Sequence, residues 1–162
     1  MNATDAFEAI RSFGEHEHRD LAHGLDHIHE VGCLLGSGSR LDDIRAMGEV
    51  LHWSTDTLAP HITWEEAWLY PQIDAITGTP WATRAARFDH GQIRSLASRL
   101  HRDEEVVIDG SSPGVADEVR SHLFAYEALL RAHIDREEHL LLPVLTQGAV
   151  RGAELLDERS TP

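Results

Sequence analysis

The sequence predicts an all-α protein, a four-helix bundle of up-down-up-down topology. Three observations point there. Four long stretches place apolar residues three or four apart, the stripe of an amphipathic helix. Short links rich in Gly, Ser, Thr and Pro separate them, and no stretch alternates apolar and polar residues as a half-buried strand does. An eleven-residue segment, HITWEEAWLYP at 61–71, returns as HIDREEHLLLP at 133–143, with six identical positions at an offset of 72 residues.

The first helix is expected over residues 4–35, with Phe7, Ile10, Gly14, Leu21, Leu25, Ile28 and Leu35 on its stripe and Thr4 as N-cap. Gly36-Ser37-Gly38-Ser39 breaks it. The second covers 41–76, with Leu41, Ile44, Met47, Leu51, Leu58, Leu69 and Ile73 inward. Pro60 lies inside this pattern, and because the periodicity runs through it, a kink or a lost hydrogen bond is expected there, not a helix end. Thr77-Gly78-Thr79-Pro80 supplies a turn, a capping Thr and a Pro start for a third helix reaching about residue 105, with Ala86, Ile93, Ala97 and Leu100 on one stripe. Asp109-Gly110-Ser111-Ser112-Pro113 leads into a fourth, carrying Val119, Leu123, Tyr126, Leu130 and Val144. Residues 1–148 are expected to form the bundle, Gly148 and Gly152 ending it, and 149–162 a tail that is either a short helix or disordered.

A chain of 162 residues is most simply one domain with a proper core. Its 28 acidic against 14 basic residues, a formal charge of −14, argue against nucleic acid and against an anionic membrane surface. No apolar run approaches a membrane span, the N-terminus lacks a secretory apolar core, and the single Cys33 has no internal partner; together these favour the cytoplasm. The chain is read as a monomer or homodimer. Twelve histidines are the outlying number.

Periodicity separates those histidines. His18 precedes Leu21, Leu25 and Ile28 by 3, 7 and 10 residues, and His90 precedes Ile93, Ala97 and Leu100 by the same spacings. The 72-residue offset selects the same pair, whereas His16, His23, His27 and His29 fall mostly off the stripe. In His61-x-x-x-Glu65 and His133-x-x-x-Glu137 the i,i+4 spacing sets an imidazole and a carboxylate on one helical face. One such pair alone is more often a solvated surface pair; two in register with two lone inward histidines favour metal. Burying two unpaired carboxylates costs several kcal/mol each, and no inward Lys or Arg offsets them, so a multivalent cation is called for. If each Glu bridges two ions, each ion receives two imidazole nitrogens and two carboxylate oxygens, a set suited to iron, manganese or zinc. A six-coordinate ion then keeps two positions: one for a bridging oxide or hydroxide, one for dioxygen, peroxide or nitric oxide.

At these residues the sequence resembles the hemerythrin-like family of HHE cation-binding domains: His18 on helix one, His61 and Glu65 on helix two, His90 on helix three, His133 and Glu137 on helix four, with the Leu69-Tyr70-Pro71 and Leu142-Pro143 endings. The resemblance spans roughly residues 5–147 and implies a non-haem di-iron centre with His18, His61, Glu65, His90, His133 and Glu137 as ligands. It departs from oxygen-carrying hemerythrin at Arg94, four residues after His90, where that protein has a second histidine, and in the short His133-to-Glu137 spacing. The set is more similar to bacterial di-iron proteins of oxidative or nitrosative stress and iron-centre repair. The alternatives are a catalase-like, peroxide-consuming di-iron enzyme, a metal or redox sensor and iron-handling module, or a bundle whose polar interior is only hydrogen-bonded. Glu66 and Glu138 are read as supporting or surface groups and Tyr70 as packing. Tyr126 is read as packing, with hydrogen bonding or metal ligation as its sharper alternative. Trp53, Trp64, Trp68 and Trp81 are read as core or interface aromatics and Cys33 as a buried thiol.

Overall fold

The computed structural model describes residues 3–110 and 114–145, with side chains at Ser12 and from residue 16 onward. Thr4, expected as the N-cap, lies inside the first helix, which already includes Ala3; the burial of Phe7, Ile10 and Gly14, the turn at Ser111-Ser112-Pro113, and the tail with Gly148 and Gly152 lie outside that description. Four helices form. α1 is Ala3–Leu34. α2 spans residues 40–77, α3 is Trp81–Asp109, and α4 spans residues 115–145. There is no strand among the described residues. α1 packs on α2 and α4, and α3 on the same two, which closes the up-down-up-down ring.

The helix ends follow local chemistry. Ser39 starts α2 with a reciprocal capping box: its hydroxyl accepts the Asp42 N–H while the Asp42 carboxylate accepts the Ser39 N–H. Gly78 and Gly110 end α2 and α3 in the left-handed region, at φ 68° and 65°. α3 therefore runs four residues past the end expected near 105, because the acidic run 103–105 is compatible with helix and only Gly110 stops it. Leu41, expected inward, is 64% exposed; the core on α2 begins at half-buried Ile44 and buried Met47.

Three turns of π-helix interrupt the regular pattern, at Ser54–Leu58 and Glu65–Leu69 in α2 and Glu137–Leu141 in α4. In each the N–H just beyond the turn reaches back five residues: Ala59 to Ser54, Tyr70 to Glu65, Leu142 to Glu137. Each donor immediately precedes a proline: Pro60, Pro71, Pro143. Proline lacks the N–H and crowds the carbonyl four residues back, so a locally widened turn accommodates it without ending the helix. The interruption expected at Pro60 takes this form.

The interior divides into two apolar clusters. The larger holds Leu25, Ile28, Met47, Leu100, Leu123 and Leu130 among others. The smaller holds Leu69, Tyr70, Ile73, Ala86, Leu141, Leu142 and Leu145. His18, His61, Glu65, His90, His133 and Glu137 are all buried, and Glu65 on α2, His90 on α3 and His133 and Glu137 on α4 fall in sequence between the buried residues of one cluster and those of the other. Trp53 packs half-buried on the larger cluster and Trp64 on the smaller, while Trp68 and Trp81 are exposed, at 65% and 68%.

α1 and α2 meet closely where Gly24 faces Trp53: a Cβ on Gly24 would lie 2.0 Å from Trp53 Cε2. Gly24→Ala gains about 1 kcal/mol of helix propensity but overpacks against a large ring, at about 1–3 kcal/mol. The variant should be destabilised in denaturant unfolding, whereas propensity alone would make it more stable.

Candidate metal centre

Each helix brings its residues to one layer by the spacing read in the sequence. His61 and Glu65 share a face of α2, His133 and Glu137 a face of α4, and α1 and α3 contribute His18 and His90. Ligand-type atoms of these six form two groups of four, each able to hold a metal ion: His18, His61, Glu65 and Glu137, and His90, His133, Glu65 and Glu137. Within each group the atoms lie within 4.8 Å of one another, and both carboxylates belong to both groups.

The two carboxylates are shared differently. Glu65 divides its oxygens: Oε1 lies 2.9 Å from His61 Nε2 and 3.5 Å from His18 Nε2, and Oε2 lies 3.2 Å from His90 Nε2 and 3.9 Å from His133 Nε2. Glu137 offers Oε2 to both sides, 3.2 Å from His18 Nε2 and 3.6 Å from His133 Nε2. Its Oε1 accepts a short hydrogen bond from the Tyr70 hydroxyl. Around a six-coordinate ion with bonds of about 2.0–2.1 Å, neighbouring donors stand about 3 Å apart. The spacing of these atoms is that of donors around shared cations.

Hydrogen bonding does not satisfy the layer. Both nitrogens of His18 and of His61, both oxygens of Glu65 and Oε2 of Glu137 are buried without a hydrogen-bond partner. Buried polar atoms are nearly always paired, so this concentration of orphans needs another partner, and a cation fits the donor chemistry. His18 shows the strain on the metal-free chain. Burial alone lowers its pKa, but the adjacent carboxylates of Glu137 and Glu65 outweigh that and raise it to about 10. Burial raises Glu65, yet contacts from His133, His18, His61 and His90 hold it well below the usual carboxylate range. Burial pushes Glu137 up, with the Glu65 charge adding to it against His18. A protonated His18 thus replaces the cation when none is bound. Its stabilisation is complete below the ordinary pKa of 6.5 and disappears as pH rises through about 10. Chelated protein should therefore lose stability across that window in urea melts, while loaded protein should not.

Outer carboxylates repeat the 72-residue symmetry. On α1, Glu17 Oε2 lies 3.7 Å from His61 Nδ1, and on α3 Asp89 Oδ2 lies 3.6 Å from His133 Nδ1. Glu138 Oε1 lies 3.4 Å from His18 Nδ1, and Glu66 Oε1 accepts from His90 Nδ1 at 2.9 Å. The Glu66 hydrogen bond fixes the ring and tautomer of His90, leaving its Nε2 to face the layer, while the other three carboxylates set negative charge beside their rings without a hydrogen bond. Glu66 and Glu138 are thus supporting groups, turned to the imidazole of a neighbouring helix.

Two sequence readings change, those of Tyr70 and Cys33. Tyr70 is not mere packing: its hydroxyl donates to Glu137 and lies 3.0 Å from His90 Nε2. Counted as α-helix, Tyr70 stands five residues past Glu65, off its face; the π turn restores it. Its proline neighbour was the available signal. Burial and the charges of Glu65 and Glu137 push the phenol well above its ordinary pKa, so it stays protonated and donates. Tyr126 packs in the larger cluster as read and meets Ser54 Oγ at 2.7 Å, outside both groups, its hydroxyl pushed up by burial to about 12. Cys33 is exposed, 3.6 Å from His29 Nε2, because its position on α1 falls between buried Val31 and Leu35 and off the inward stripe.

A helical bundle with a buried layer of imidazoles and carboxylates in two four-residue groups is a cation-binding bundle. The chain belongs to the hemerythrin family: the model of the hemerythrin HHE cation binding domain matches residues 11–145. No curated protein and no solved structure matches it.

Proposed function

We propose that the protein is a non-haem di-iron protein that binds or reacts with dioxygen, peroxide or nitric oxide, acting in the cytoplasm in oxidative or nitrosative stress. His18 and His61 would hold one iron, His90 and His133 the other, with Glu65 and Glu137 between them. The observation that carries this reading is the sharing of both carboxylates by two four-residue groups, with both oxygens of Glu65, Oε2 of Glu137 and the nitrogens of His18 and His61 buried without hydrogen-bond partners. Iron in such a donor set supplies redox exchange between ferrous and ferric states, and four protein donors leave vacant coordination on each ion. Around it the chain's own residues exclude water on both sides and set a carboxylate beside each imidazole Nδ1. A surface cleft of about 430 Å³ is bordered by Arg19, Leu142 and Glu138, the carboxylate that stands 3.4 Å from His18 Nδ1. The test is iron stoichiometry on anaerobically purified protein, then spectra after adding oxygen, peroxide or nitric oxide. Two irons and a new near-ultraviolet or visible band support the reading; fully helical protein that binds no iron overturns it.

Tyr70 favours a second reading, a peroxide-consuming enzyme, because its hydroxyl holds a proton at the layer itself. General acid catalysis by a placed hydroxyl contributes about 10²–10⁴-fold. Tyr70→Phe should then slow oxygen release from hydrogen peroxide by at least about 100-fold while two metals remain bound. An unchanged rate would leave binding as the function.

A further inference from the structure

The surroundings of the two groups break the repeat that builds them. Around His90 and His133 the outer carboxylates are neutralised: Arg94 grips Glu66 with two bonds of 2.9 and 2.8 Å, and Arg136 pairs with Asp89. The residues 72 positions earlier are Ala22 and Trp64, neither of them basic. Trp64 stacks on His61, with ring centroids 6.5 Å apart and planes at 29°. Arg19 shares a cleft with Glu138 but turns to His16 Nδ1 at 3.3 Å, and among the described residues no arginine pairs with Glu17 or Glu138. Tyr70 adds to the imbalance. It lies against His90 and occupies one oxygen of Glu137, whereas its counterpart Leu142 has no hydroxyl.

A carboxylate beside Nδ1, 3.4 Å away at His18 and 3.7 Å at His61, adds negative charge to the ring and strengthens Nε2 as a donor, and outer partners change metal affinity about 10–100-fold. An arginine on that carboxylate draws the charge away and sets a positive charge near the cation. We infer that the two positions are unequal: the His18–His61 position fills first and holds its ion at least about 10-fold more tightly, and the His90–His133 position carries the exchangeable ion. This rests on the di-metal reading above.

The test is an anaerobic titration of chelator-stripped protein with ferrous iron against a competing chelator. Crystals loaded with one equivalent then locate the iron by its anomalous scattering. Two steps at least about 10-fold apart, with the first iron beside His18 and His61, are expected. Arg94→Ala should tighten the second step about 10-fold and narrow the gap, Arg94→Lys, which keeps the charge but loses the two-bond grip, should narrow it less, and Ala22→Arg should weaken the first step. Both changed positions are exposed, and circular dichroism confirms the fold. Two irons with equal occupancy at one equivalent, a first iron beside His90, or a gap that ignores Arg94→Ala overturns the inference and leaves the di-metal reading standing. Failure to bind a second iron, or iron bound elsewhere, overturns both.

Discussion

Stripping the metal should lower the thermal unfolding midpoint by about 8–16 °C. Ligand in thousandfold excess over its dissociation constant stabilises the folded state by about 4 kcal/mol, and in a chain of this size each kcal/mol moves the midpoint by about 2–4 °C. The effect is this large because the metal-free layer buries Glu65 and Glu137 against imidazoles whose nitrogens are mostly orphaned. Calorimetry over a range of free metal concentrations should show the midpoint climbing with the logarithm of concentration. A midpoint indifferent to chelator would mean that the polar layer closes on itself.

Glu65→Gln should empty both positions. Glu65 alone gives a separate oxygen to each side, so its amide replacement removes a charge and an anionic donor from both at once. Each affinity should fall by at least about 100-fold, beyond the upper end of what outer partners contribute. His61→Ala, in contrast, should spare the ion between His90 and His133. Metal per chain after desalting, beside a helicity control, separates the cases. A Glu65→Gln protein that keeps one ion at native affinity would show that this carboxylate does not bridge.

Much of this was legible in the sequence, and the reason is the duplication. A helical stripe is ambiguous about which of five histidines on α1 points inward, but the 72-residue offset singles out His18, which is buried, while His16, His23 and His29 are exposed. The same offset pairs Glu17 with Asp89 and Glu66 with Glu138, so the outer carboxylates were visible as a pattern even though their targets were not. What stayed hidden depends on backbone pattern. A π turn changes the angular position of every later residue, and side-chain periodicity carries no record of it, so Tyr70 reads as facing away. Arg94 and Arg136 stayed hidden for another reason: they act across helices, through carboxylates whose partners only the assembled bundle reveals. Cys33 and Leu41 mark the common error of taking an apolar or small residue near a stripe as part of it.

The placement of the polar layer between a large and a small apolar cluster has a kinetic consequence. The small cluster, built from the end of α2, the start of α3 and the end of α4, acts as a stopper, and it is the thinner wall. Escape of an ion by that route requires this end of the bundle to breathe, so metal exchange there should keep pace with amide-proton exchange in residues 69–73 and 141–145 and be indifferent to the far end.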